Sequence, residues 1–399
     1  MSTTAEQMRA WRGPAVLTYG FRPFFFGAAV WAALAMVLWV LMLAGHVDLP
    51  TRFDPVSWHA HEFLFGYLGA VVAGFMLTAV PNWTGRLPIV GWPLGGLVAL
   101  WLAGRLAVAF SLGLSPLMVA LADLSATVAL GIVLAREIIA GKNWRNLIVV
   151  AMLAVFTLGN AIFHWEAAHD VYAAQGYGLR LGLGAGIMMI GVIGGRIVPS
   201  FTRNWLAKRD EGALPTPPMQ RFDKLALLVL LVALITWVVA PQSAGAALAL
   251  GVAGVLHLVR LARWRGLRTL SEPLVWVLHL GYFFVPLGAL MVACNTLLPG
   301  HFAGGAAQHL WMAGAIGLMT LAVMTRATLG HSGQTLSAGP GTVVIYVALI
   351  AAVVLRLAAG LWAGEAQVLL DLAGLAWIGA YGCFAVLYGR FLLSPSPRR

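Results

Sequence analysis

The chain has 399 residues, 61% hydrophobic and 10% charged, with a formal net charge of +11 and a mean hydropathy of +0.87. A soluble domain carries about 25% charged residues, so this composition excludes a soluble globular protein and implies an integral membrane one. The positive charge does not indicate a nucleic-acid partner, because the basic residues are spread through short connections and form no single patch.

Apolar runs of about 20 residues can cross a bilayer core of about 30 Å. Twelve are expected, at about 24–45, 60–80, 91–110, 115–136, 146–166, 178–200, 222–240, 243–262, 273–296, 306–327, 341–362 and 366–390. Pro, Gly and charge mark the gaps, as at Pro81-Asn82-Trp83, Gly141-Lys142-Asn143, Pro215-Thr216-Pro217-Pro218 and Ser337-Ala338-Gly339-Pro340. The fold class implied is all-α: a polytopic integral membrane protein, a bundle of about twelve transmembrane helices forming one domain over residues 1–399, with no soluble domain. The first run is long enough to span and is not read as a cleavable signal peptide. Cys294 and Cys383 lie inside spans and read as buried small hydrophobes. Gly182-x-x-x-Gly186 and Gly191-x-x-x-Gly195 in the sixth span read as close helix packing, or as the approach of a flat macrocycle.

Lys and Arg fix the expected orientation. With the N-terminus inside, twenty fall on inner segments, from Arg9 and Arg12 through Arg22 and Arg260 to Arg398 and Arg399, against Arg52 and Arg180 on outer ones. The expected location is the bacterial inner membrane, both termini cytoplasmic. Arg105, Arg196 and Arg356 lie within spans.

In this topology four histidines sit at one depth near the outer face. His59 and His61, in Trp58-His59-Ala60-His61-Glu62, open the second span; His164 closes the fifth; His309 opens the tenth. Imidazole is the commonest side-chain ligand for copper, zinc and haem iron. A lone histidine at a helix end is usually an anchor or cap, but four at one level suggest a metal or haem site. His59 and His61 are about 200° apart on a helix, so either the segment is not yet helical at His59 or the two serve different partners. Glu62 is a candidate proton donor or a partner behind a ligand, and otherwise a helix N-terminal charge. Asn160, one turn before His164, could bond a ligand. Arg105 and Asp123 read as an ion pair across a hairpin, or as an arginine holding a haem propionate. A second group on the inner side comprises His279, His331, Arg196 and Arg326, suited to haem or another anionic cofactor.

The residues resemble the NnrS family, membrane proteins linked to nitric oxide in denitrifying and related bacteria. The matching segments are Tyr19-Gly20-Phe21-Arg22-Pro23-Phe24-Phe25-Phe26, Trp58-His59-Ala60-His61-Glu62, 74–85 from Gly74-Phe75-Met76, 194–204 from Gly194-Gly195-Arg196, and 314–331 ending in Leu329-Gly330-His331. The likeness runs from about 19 to 331, and the last two spans carry little of it. At Gln308-His309-Leu310-Trp311-Met312 the family pattern is closer to His-Ala-Leu-Thr-Val, with His309 retained. The resemblance implies a polytopic protein carrying haem b and copper that helps the cell withstand nitric oxide.

Three functions compete. The first is a haem/copper redox protein acting on nitric oxide at the outer histidines, with Glu62 catalytic and electrons from a quinol or cytochrome. The second is a secondary transporter, which calls for interrupted helices and an internal repeat; no convincing repeat is visible. The third is a non-catalytic binder of nitric oxide or metal. Membrane lipid is the surrounding partner in all three, and none involves nucleic acid.

Overall fold

The structure, a computed structural model, describes residues 10–86, 88–209, 212–299 and 304–395. Arg9, His301, Arg398 and Arg399 lie outside the described residues. Among the described residues there is no strand, and twelve helices are long and apolar enough to cross a membrane. They are α1 Phe21–Leu43, α2 Pro55–Thr84, α3 Trp92–Ala109, α4 Pro116–Ala140, α5 Trp144–Ala168, α6 Tyr177–Ala207, α7 Arg221–Val239, α8 Ala244–Ala262, α9 Pro273–Leu297, α10 Gly305–His331, α11 Pro340–Leu361 and α12 Ala363–Leu393. These match the twelve expected spans one for one, with the ends displaced by a few residues.

Capping chemistry explains several displacements. The carboxylate of Asp54 accepts from the backbone N–H of Val56 (3.0 Å) and Ser57 (2.9 Å), and Pro55 occupies the first helical position. Helix α2 therefore begins before the first strongly apolar residue, and His59 and His61 lie inside it. Ser115 and Pro116 start α4 in the same way, and Gln220 with Asp223 forms a reciprocal capping box on α7.

The chain forms two compact units. The first comprises 1–182, 327–335 and 381–399, and holds α1–α5 with the ends of α6, α10 and α12. Here α1 and α4 pack on α2, α3 packs on α4, and α4 on α5. The second comprises 183–326 and 336–380, where α8 packs between α7 and α9, and α10 contacts α9 and α11. Glycines allow close approach inside each unit. A Cβ on Gly159 would stand 2.7 Å from the backbone N of Gly182, and one on Gly182 would stand 2.5 Å from the ring of Phe65. Gly191 packs on Leu230 and Leu227, and Gly195 on the Arg260 guanidinium. The small-residue spacing in α6 is thus tight packing at these three positions.

Three helices contain a π-turn without breaking: Glu62–Tyr67 in α2, Ile190–Gly194 in α6 and Leu310–Leu318 in α10. Their apolar windows are also the most buried of the twelve, at 83%, 72% and 72%. The feature recurs at every fourth helix, a regularity of elements that leaves no repeat in the residues. In each π-segment a carbonyl takes a side-chain donor. Trp101 Nε1 donates to Gly66 O (2.9 Å), Arg260 Nη1 to Gly191 O (2.9 Å), and Thr320 Oγ1 to Ile316 O (2.6 Å). A π-turn disturbs the regular helical ladder, and buried carbonyls need donors.

Candidate functional site

The first unit holds a buried polar cluster built from four helices. Helix α2 supplies His61 at its last regular position and Glu62 at the start of the π-turn. Helix α3 supplies Arg105, α4 supplies Asp123, and α5 supplies Asn160 and His164; all six are at most 5% exposed. Two glycines make room. A Cβ on Gly66 would meet Arg105 Nη1 and lie 2.8 Å from Glu62 Oε2, and one on Gly104 would lie 2.9 Å from the Asp123 Cα.

The bonding is dense and directional. Asp123 Oδ2 accepts from Asn160 Nδ2 (2.7 Å) and His164 Nε2 (3.0 Å). His61 Nε2 lies 3.1 Å from the same oxygen and 3.0 Å from Asn160 Oδ1, while His61 Nδ1 faces Glu62 Oε1 at 3.0 Å. Arg105 joins the two carboxylates, donating from Nη1 to Glu62 Oε2 (2.6 Å) and from Nη2 to Asp123 Oδ1. Trp31 Nε1 also donates to Glu62 Oε2 (2.7 Å). The hairpin ion pair between α3 and α4 is present, and Arg105 serves two carboxylates at once.

Valence and charge say what this cluster can hold. Both ring nitrogens of His61 face only acceptors, so each must present a hydrogen or, at Nε2, stand against a cation. With neutral imidazoles, Arg105, Glu62 and Asp123 sum to one negative charge in a buried setting, where an unbalanced charge is costly. The cluster therefore has a place for one further positive charge, a proton or a metal ion. One ligand atom each from His61, Asp123 and His164 lie within 4.8 Å of one another, the one such group among the described residues. Two imidazoles and a carboxylate are a known donor set for first-row divalent metals. Glu62 on Nδ1 of His61 matches the carboxylate–histidine–metal arrangement that aims the other nitrogen at an ion.

Phe53, Phe65 and Phe163 lie with ring centroids 5.3–5.4 Å from that of His61. A small cavity, about 20 Å³ of space for the centre of a water-sized molecule, adjoins Arg105, Asp123 and Asn160. These dimensions fit an ion and a small molecule beside it. They do not fit a porphyrin.

The other expected site residues lie elsewhere. His59 is on the opposite face of α2 from His61. It stacks on Trp39 at 4.4 Å and packs on Phe63 at 4.7 Å, so the expected convergence of His59 with His61 and His164 is not met. The helical separation of about 200° is the reason, since the segment is already helical at His59. His309 belongs to the second unit and is outside the His61–Asp123–His164 group; its Nδ1 donates to Gly305 O one turn earlier (2.6 Å). Of the expected inner group, His331 is in the first unit and stacks on Tyr19 at 5.4 Å. His279, Arg196 and Arg326 are in the second. His279 Nε2 donates to Thr202 Oγ1 (2.7 Å), whose own hydrogen goes to Val198 O (2.8 Å). Arg326 lies over the Phe201 ring at 4.2 Å, and Arg196 is half-buried in α6.

Sequence reasoning missed a second buried network in the second unit. Arg260 Nε donates to Asp223 Oδ1 (2.8 Å), and its Nη1 donates to Tyr282 OH (2.7 Å). Tyr282 OH in turn donates to His257 Nδ1 (2.8 Å), because His257 uses its Nε2 hydrogen on Ala226 O (3.2 Å). Arg260 reads as a loop charge from its place at the end of an apolar run. The available signal is the i, i+3 spacing of His257 and Arg260, which puts both on one face of α8.

No curated protein matches the chain. The profile of the family described as NnrS protein matches residues 15–396. That stretch takes in all twelve helices, including the last two, and every residue of the buried cluster, and the chain belongs to the NnrS family.

Proposed function

We propose that this protein binds a redox metal ion at His61, Asp123 and His164 and reduces nitric oxide beside it. Family membership suggests a role in the nitric oxide response, and the twelve spans make this a multi-pass membrane protein. The observation that carries the reading is the buried His–Asp–His ligand set with Glu62 on the back of His61. Copper is the ion we assign, since imidazole-rich sites suit it; the same donors also suit ferrous iron. Haem b, which the family resemblance implies, does not fit the space at this cluster, and no step here runs through it.

The bound ion would supply a binding position for nitric oxide and a route for electrons. The remaining work falls to the chain's own residues. Two molecules of nitric oxide, two electrons and two protons give nitrous oxide and water: an N–N bond forms and one oxygen leaves as water. A quinol or a cytochrome supplies the electrons. Glu62 is the carboxylate we assign to proton handling, since it touches His61 and is linked through Arg105 to Asp123. Arg105 holds both carboxylates at a fixed separation. Phe53, Phe65 and Phe163 keep the imidazole dry, which strengthens every electrostatic contact in the site. The orientation we assign is both termini cytoplasmic in the bacterial inner membrane, on the basic asymmetry of the loops.

Purified protein, metal-loaded and reduced, tests this in a nitric-oxide electrode chamber. The expected result is consumption with nitrous oxide formed, lost in His61→Ala and His164→Ala together with the metal. Retained metal with no turnover, and a Glu62→Gln variant indistinguishable from the parent in cells, would replace the enzyme by a non-catalytic binder.

A further inference from the structure

The small cavity of the first unit adjoins the ligand set and shares Asp123 with it. Its walls include Phe24, Phe65, Gly69, Ala73, Leu97 and Trp101, with Arg105, Asp123 and Asn160 along one side. Most of this lining is apolar, so the space disfavours ions and holds neutral molecules. One polar group on a lining residue is unspent. Arg105 is 3% exposed, its two terminal nitrogens are committed to Glu62 and Asp123, and its Nε has no hydrogen-bond partner among the described residues. A buried donor left unpaired costs about 1–3 kcal/mol, and a ligand bearing an acceptor would satisfy it.

We propose that this cavity is the holding site for an uncharged molecule of two heavy atoms, with Arg105 Nε–H donating to its acceptor end. The inference rests on the function proposed above for the choice of nitric oxide as that molecule. The volume, about 20 Å³ for a water-sized centre, exceeds the roughly 10–15 Å³ that one water needs on the same measure. That is room for a water or a gas molecule of similar size. Gly69 sets the space. It sits in the wall, and a Cβ built on it meets nothing nearer than Phe156 at 3.9 Å and Thr127 at 4.0 Å. A larger side chain there would grow into the cavity without displacing backbone.

The test uses the full-length protein and two filling variants, Gly69→Val and Ala73→Leu. Crystals pressurised with xenon report the space without any metal, because dry apolar cavities take up xenon. One xenon peak between Gly69 and Arg105 is expected in the parent and none in either variant. Metal content should stay at the parent level in both. Nitric-oxide uptake per bound metal should fall by about 10–200-fold, the range that one or two methylenes carry in an apolar pocket. An ordered water that xenon does not displace, or variants that lose the xenon peak and keep parental uptake, overturns the proposal. Should both variants fail to fold, the parent alone decides: no xenon peak at this position overturns it. A parent that binds xenon here but no metal refutes the proposed function and leaves the gas site standing.

Discussion

His59 and His61 are two positions apart and have unrelated surroundings. One stacks on Trp39, the other meets Asp123, Asn160 and Glu62. The pair therefore predicts opposite outcomes for the same substitution. His61→Ala should empty the metal site, because no water in an apolar bundle replaces a missing imidazole. His59→Ala should leave metal content at the parental level, measured by elemental analysis of purified protein; equal loss in both would sink the assignment. Arg105 makes a second prediction. Arg105→Gln leaves Glu62 and Asp123 buried without their shared cation, and breaking such a buried pair costs about 3–5 kcal/mol. Thermal unfolding in detergent should show the loss, and adding Asp123→Asn should recover part of it. Part of this site was legible: the HxH spacing left open whether His59 and His61 share a site, which the helix at His59 decides against, and Asn160 one turn before His164 indicated a shared face. The role of Asp123 as the centre of the cluster was not, because spacing within one helix says nothing about which side chains of α2, α4 and α5 meet.

At the level of elements, hydropathy gave every span, since twenty apolar residues have few other places to go. The π-turns in α2, α6 and α10 were hidden. A π-turn adds one residue to a turn and shifts the helix phase without demanding any residue type, so composition carries no trace of it. Its consequence is large: after Glu62 the face of α2 that points at the cluster changes register, which brings Gly66 under Arg105 and Trp101. Trp101 holds this turn by donating to Gly66 O, from a side chain 6% exposed. Trp101→Phe keeps most of the ring and removes the donor. The expected cost is about 1–3 kcal/mol for the carbonyl left unpaired, read as a lower unfolding temperature in detergent. A variant as stable as the parent would mean that Trp101 fills space only. The transporter reading also loses ground at this scale: it calls for broken helices whose half-helix ends face a substrate, and α2, α6 and α10 run on through their π-turns.

For the whole molecule, orientation is the property that sequence states most directly and packing least. The rule that places basic residues inside counts charges in short loops and near span ends. Among the described residues, two of these inner charges are buried near their span ends. Arg22 is buried in α1 and donates to Ser394 O (2.6 Å), and Arg260 is buried in α8 against Asp223. Withdrawing both from the twenty leaves eighteen against Arg52 and Arg180, so the asymmetry behind the proposed orientation does not depend on them. These two arginines then separate topology from stability in one experiment. Reporter fusions after Asp170 and after the last residue should give an external and a cytoplasmic signal, in the parent and in Arg260→Gln alike, because the nineteen other inner charges still far outnumber Arg52 and Arg180. The same Arg260→Gln protein should be less stable by about 3–5 kcal/mol, since Asp223 is left without its cation, and it also loses the donor to Gly191 O in the α6 π-turn. Adding Asp223→Asn should return part of that stability and change neither reporter. If Arg260→Gln inverts a reporter, Arg260 acts as a topological charge, and the buried ion pair forms only after insertion has been decided. If it moves neither the reporters nor the unfolding temperature, the network of Asp223, Arg260, Tyr282 and His257 does not hold the second unit together.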